Sequence, residues 1–159
     1  MHPRILIAAL MAASLPTDLI AQLWTLQSPA TVPQQRRAGA MAHDLLNGRM
    51  VMYGGLLSPT AITNETWAWD GTNWTQLTPP TAPPPRWGHK MVFDNRRLKL
   101  VTWGGRSPTT TATASDTWEY DLATGTWAQV VTPTTPTARA FYAMAYDQRR
   151  GVTVTFGRA

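Results

Sequence analysis

Three stretches decide how this chain folds: MVMYGG at residues 50–55, LVTWGG at residues 100–105, and VTVTFG at residues 152–157. Each is a short apolar run closing on glycine, and they follow one another at about fifty residues. Other marks keep the same interval. Trp67-Ala68-Trp69-Asp70 returns as Trp118-Glu119-Tyr120-Asp121, and Trp74 returns as Trp127. Self-similarity at such a period means stacked supersecondary units, each too small to bury its own apolar face.

Each unit reads as four short strands. Helical spacing is not sustained beyond the first residues, and Gly/Pro/Asn turns arrive every 8–12 residues, which is an all-β pattern. The first strands are expected over Gly39–Asp44, Gly88–Asp94 and Phe141–Asp147. Met41, Met91 and Met144 share one slot; His43, Phe93 and Tyr146 share another two residues on, hence on the same strand face. A tight turn follows in each unit, and Asn47-Gly48 favours one because both residues tolerate positive φ. The second strand runs into the glycines and places Tyr53, Trp103 and Phe156 in one slot. Third strands are expected at Thr66–Asp70 and Thr117–Asp121, with turns at residues 71–73 and 122–126. Fourth strands open at Trp74 and Trp127. Trp74 stands twelve residues before Arg86, Trp127 twelve before Arg139, and Trp24 twelve before Arg36. Residues 23–27 therefore read as a lone fourth strand. Blades occupy residues 36–78 and 86–132, and residues 139–157 supply a first and a second strand.

The arginine, tryptophan, glycine and histidine at 86–89, the glycine pairs, the Trp-x-Trp/Tyr-Asp strand and the tryptophan opening the fourth strand together resemble the Kelch repeat. The likeness covers nearly all of Trp24 to Arg158. It implies β-propeller blades with the first strand innermost, about two complete four-stranded blades with partial blade strands at each end. In the first unit the lead-in arginine is Arg36 or Arg37, and Arg158 stands where a second glycine is expected. The Trp24 strand is expected to join the strands after Phe141. Propellers have about 4–8 blades, so the propeller is incomplete. Either the chain self-associates, or it is part of a longer propeller with further blades, as the stop at Ala159 inside the glycine motif suggests. The resemblance extends to bacterial secreted proteins with a propeller like the central domain of galactose oxidase. That enzyme's copper site needs a tyrosine crosslinked to cysteine, and this chain has no cysteine.

Residues 1–21 read as a secretory signal peptide: Arg4 near the start, then the eleven-residue apolar run Ile5–Leu15, too short for a membrane span. The mature part is residues 22–159, secreted or periplasmic, and a chain without disulfides must be held by core burial alone. The net charge is +5. There is no basic helix and no nucleic-acid motif, so the charge does not indicate nucleic acid.

Catalytic residues are not expected. His43 reads as a core or semi-buried ring, because its slot otherwise holds Phe93 and Tyr146. His89 reads as framework, and neither histidine has a partner at metal-ligand spacing. Asp44, Asp94 and Asp147, like Asp70 and Asp121, repeat at strand ends and read as turn caps. Glu65, Asp116 and Glu119 remain as unrepeated acids, too few for general acid–base chemistry. No metal or cofactor is expected.

Two surfaces read as candidates for binding. Arg49, Arg96, Arg97, Lys99, Arg149 and Arg150 lie in or beside the turns between first and second strands and would form a basic rim suited to an anionic partner. The opposite rim carries the loops after the glycines and before the arginines, where Trp87, Asn64, Arg106 and Asp116 are the expected ligand surface. The function expected is an exported, non-enzymatic module that binds a protein or glycan through its loops. The alternative is an accessory propeller or fragment of a secreted carbohydrate-active enzyme.

Overall fold

The computed structural model describes residues 5–9, 23–107 and 113–157. Within them the chain is all-β. The first complete unit is a sheet of four antiparallel strands in chain order: β3 (Ala40–Asp44), β4 (Arg49–Tyr53), β7 (Thr66–Trp69) and β8 (Trp74–Leu77). The second repeats it with β9 (Lys90–Asp94), β10 (Lys99–Trp103), β11 (Thr117–Asp121) and β12 (Thr126–Val130). A two-stranded third unit follows, β13 (Ala143–Asp147) with β14 (Val152–Phe156). The loop after the first glycine pair carries a small hairpin that repeat reading did not anticipate, β5 (Leu56–Ser58) with β6 (Ala61–Ile62).

Upstream, β2 (Leu23–Gln27) forms where the twelve-residue spacing places a fourth strand. Its partner is β1 (Ile5–Ala9), paired antiparallel from Ile5↔Gln27 to Ala9↔Leu23. The expected closure of β2 onto β13 and β14 is therefore not formed, and among the described residues no sheet closes the ring. The strand starts also differ from expectation. Gly88 and Phe141 lie outside the strands, because their backbones turn through positive φ (68° and 56°) before pairing begins.

Turn chemistry follows the repeated aspartates. Asp44 accepts from the Asn47 N–H at 3.0 Å, Asp94 from Arg96 at 3.0 Å, and Asp147 from Arg150 at 2.9 Å. Asp70 and Asp121 accept in the same way from Thr72 and Ala123 in the turns before the fourth strands. These bonds satisfy turn N–H groups that the sheet cannot reach.

The main core lies between the first two sheets. Ala40, Ala42, Val51 and Tyr53 of the first meet Met91, Leu100, Tyr120 and Trp127 of the second. Tyr53 and Trp127 lie 5.1 Å apart between ring centroids, and the Trp127 indole N–H donates to the Thr66 hydroxyl at 3.1 Å. Alternation along each strand is what presents these side chains to one neighbour. A second cluster, Trp67, Trp69 and Trp74 with Val32, Met50 and Met52, covers the opposite face of the first sheet. Its inner edge stays open. His43 is exposed there, contrary to the expected core or semi-buried ring, and Met41 is 50% exposed. Among the described residues no sheet packs on that face, whereas Met91 in the equivalent slot is buried against the first blade.

Consecutive units are also tied through backbone. The Gly88 N–H donates to the Ala38 carbonyl at 2.7 Å, and the Phe141 N–H to the Gly88 carbonyl at 2.8 Å. These three residues hold one slot and one backbone form, each at positive φ. The glycine pairs permit this approach: a Cβ on Gly54 would lie 2.7 Å from the Arg86 carbonyl, and one on Gly104 would lie 2.6 Å from the Arg139 carbonyl.

Candidate binding surface on the loop rim

Antiparallel order sorts the connections into two rims. Turns from first to second and from third to fourth strands leave at one end; the post-glycine loops and the pre-arginine linkers leave at the other. The second rim is built on a repeated arginine. Arg36 bonds the Gly54 carbonyl at 3.4 Å and Glu65 at 2.6 Å. Arg86 bonds the Gly104 carbonyl at 3.0 Å and grips both oxygens of Asp116 at 2.8 and 2.7 Å. Arg139 reaches the Gly157 carbonyl at 3.0 Å. Arg36 is thus the framework arginine of the first unit, and the Arg37 backbone instead pairs with Leu56.

The acids before the third strands also share one task. Glu65 accepts from the Trp67 indole at 2.9 Å, and Asp116 from the Trp118 indole at 2.7 Å. Burial would raise the Asp116 carboxyl, but the hydrogen bonds and charge of Arg86 outweigh it and hold its pKa below the ordinary value. Glu65 is lowered by the same balance, with Trp67 and Arg36 opposing burial. Both acids are therefore ionised and committed to holding the lead-in arginines. Glu119 is likewise engaged, by Arg97 at 2.5 Å and Lys99 at 3.6 Å.

His89 and Tyr142 occupy one slot beneath this rim. The Tyr142 hydroxyl donates to the Trp103 carbonyl, and burial pushes its pKa up to about 12. His89 packs edge-on to Tyr53 at 5.4 Å. Burial first, and the Arg86 charge second, lower its pKa to about 3 against an opposing backbone interaction with Tyr53, so the ring is neutral.

Above the framework stands an aromatic cluster in which Trp87 is half-buried and Arg106 exposed. Trp87 and Arg106 exchange two backbone hydrogen bonds, at 3.1 and 2.8 Å, which fixes both side chains side by side. Phe141 packs edge-on to Trp87 with centroids 5.2 Å apart, and it is 57% exposed. The Arg106 guanidinium lies over both rings, at 5.7 Å from Trp87 and 6.0 Å from Phe141. Beside the first blade the same rim holds an open groove of about 590 Å³, lined by Gln35, Arg37, Leu56, Leu57, Ser58 and Pro59 among others.

Of the four residues expected on this rim, the fold brings Trp87 and Arg106 together. Asp116 is held below them by Arg86, and Asn64 is exposed in the first blade's loop. Phe141 completes the cluster and was not anticipated. It sits in the slot of Ala38 and Gly88, and only the backbone turn at φ 56° swings its ring toward Trp87. On the opposite rim the basic side chains are largely paired at home: Arg49 with Asp44 at 2.8 Å, Arg97 with Asp94 at 2.7 Å, and Arg150 with Asp147 at 2.6 Å. Lys99 lies 3.8 Å from Asp121, and Arg96 donates to the Arg149 carbonyl at 2.7 Å.

Among the described residues, no group of three or more His, Cys, Asp or Glu side chains is arranged to hold a metal ion, and no helix is long and apolar enough to cross a membrane. The family model for the KLHDC2/KLHL20/DRC7 Kelch-repeats domain matches residues 15–159. No curated protein matches the chain.

Proposed function

The chain belongs to the Kelch-repeat family, and from that premise we propose that it is a non-enzymatic module that binds a protein partner through its loop rim, centred on Trp87, Arg106 and Phe141. The observation that carries the reading is an aromatic pair, half-buried Trp87 and exposed Phe141, with the exposed Arg106 guanidinium over both rings. Tryptophan and arginine are the residue types that dominate protein-interface energetics, and this cluster rests on a backbone that little rearrangement would disturb. The opposite rim is the weaker choice, since three of its arginines are paired with the aspartates of their own turns. The absence of catalysis is supported by the engagement of Glu65, Asp116 and Glu119 in ion pairs. Export belongs to the same reading and rests on the charged start and the short apolar run that follows it.

The test is a paired capture experiment with quantitative mass spectrometry. The wild-type chain is compared with Trp87→Ala/Phe141→Gly, in which glycine accepts the positive φ of residue 141. Proteins retained by the wild type and depleted at least about tenfold by the variant are the expected result, in line with the loss of one or two interface anchors. Identical proteins on both, or retention of glycans alone on an array, would remove the proposal.

A further inference from the structure

The two ends of the described fold carry complementary halves of a contact that the chain already makes internally. In the first blade Val51 and Tyr53 are fully buried by the second, and in the second blade Val101 and Trp103 are buried beside the third unit. In the third unit the same slots hold Val154 and Phe156, which are 53% and 82% exposed. Ala143 and Ala145, their cross-strand partners, are exposed with them. At the other end the first blade presents the face that does the covering elsewhere. Met41, in the slot of Met91, is half exposed there. The Trp74 indole N–H is buried without a partner, whereas its counterpart in Trp127 reaches back to Thr66 of the preceding blade.

The backbone ladder is interrupted at the same two places. It runs from Ala38 carbonyl to Gly88 N–H and from Gly88 carbonyl to Phe141 N–H. Among the described residues the Ala38 N–H and the Phe141 carbonyl have no backbone partner in this ladder. One is a donor and the other an acceptor, in equivalent backbone positions. Stacked units leave such faces bare unless something caps them.

We propose that a second copy of this chain occupies the exposed face of β13 and β14, with its first blade seated on the third unit as the second blade sits on the first. The interface is head-to-tail, with Val154 and Phe156 of one copy against Met41 and its neighbours on the other. The Ala38 N–H of the second copy donates to the Phe141 carbonyl of the first. A head-to-tail contact closes into a ring when its rotation allows. The three described units of each of two copies place six units around the axis, within the range of about 4–8 blades that propellers use. This contact meets the Trp87 cluster only at the Phe141 backbone carbonyl, which a Phe141→Gly substitution keeps, and it stands whether or not that cluster binds a partner.

Two single variants of the full chain test it by light scattering, with near-ultraviolet circular dichroism as the check on folding. Wild-type chain is expected at twice the monomer mass. Phe156→Asp and Met41→Asp, on opposite ends, are each expected to be monomeric. Mixed together they are expected to form a heterodimer, because one native pair of faces survives. A wild type that stays monomeric at all concentrations would overturn the proposal. So would a Met41→Asp chain that still dimerises alone, which would mean two copies of the same face meet. If Met41→Asp loses its folded spectrum, Met41→Lys and the Phe156→Asp arm carry the same mixing test.

Discussion

Tyr53, Trp103 and Phe156 hold the same slot in three successive units, yet they are 0%, 3% and 82% exposed. The strands that carry them have the same length, the same alternation and the same antiparallel partner. The difference is the neighbour. Tyr53 has a full sheet against it, Trp103 has Tyr142 at 5.0 Å, and Phe156 has none among the described residues. A repeated residue is thus a repeated opportunity for burial, and its energetic worth is set by the unit next door.

The sharpest way to break this comparison is to empty the slot in turn. Tyr53→Ala is expected to cost about 3–5 kcal/mol, the range for large aromatic truncations in a closed core. Phe156→Ala, measured on chain dilute enough to be monomeric, is expected to fall within about 0.5 kcal/mol of wild type, as exposed substitutions do. Urea unfolding followed by tryptophan fluorescence reads both. Equal losses at the two positions would mean that Phe156 is covered after all.

The lead-in arginines offer a second version of the contrast. Arg86 is 2% exposed and gripped by both oxygens of Asp116. Asp116→Ala leaves that guanidinium buried and unpaired, so a loss of about 3 kcal/mol is expected. Arg139 has two carbonyl partners, Thr137 and Gly157, in place of an acid and lies over the Trp103 ring, and Arg139→Ala is expected to cost about 1–2 kcal/mol, since no buried charge is left behind. The same denaturation series would show whether the order holds.

The slot shared by His89 and Tyr142 sharpens the comparison through pH. The folded pKa of His89, about 3, lies below the ordinary histidine value. The unfolded chain therefore takes up this proton first as the solution is acidified. Stability is full above about pH 6.5 and declines as pH falls toward 3, with a slope of up to about 1.4 kcal/mol per pH unit. His89→Tyr, which installs the third unit's residue, is expected to flatten the upper part of that window, before the carboxylates begin to protonate. Melting temperatures at pH 7 and pH 5 for both chains decide it.

The smallest expected effect is at the hairpin turns. Gly48 and Gly151 hold positive φ, and Leu98 holds the same slot at φ 55°. A leucine pays steric strain there that glycine does not, offset by glycine's greater freedom when unfolded. Leu98→Gly is expected to raise stability by about 0.5 kcal/mol, readable as a higher urea midpoint. A lower midpoint would mean that the packing of the partly exposed Leu98 side chain outweighs the strain.

Much of this is legible in the amino-acid sequence. The fifty-residue period, the four-strand unit, the aspartate turn caps and the shared aromatic slot follow from alternation and from side chains that bond within three residues of themselves. The candidate surface was legible only in part. Trp87 and Arg106 stood out because they break the repeat, while Phe141 looked like the start of a strand. Glu65 and Asp116 looked unrepeated, and their common role emerged only when Arg36 and Arg86 were found across the sheet from them.

By itself the amino-acid order determined where strands begin to alternate, where the chain turns and which residues recur, because these depend on neighbours a few positions away. Tertiary structure alone decided that His43 is exposed while Met91 is buried, that Asp116 serves Arg86, and that Phe141 meets Trp87. Each of those outcomes depends on a sheet or loop that lies tens of residues along the chain or, for His43, on a face that no sheet covers among the described residues.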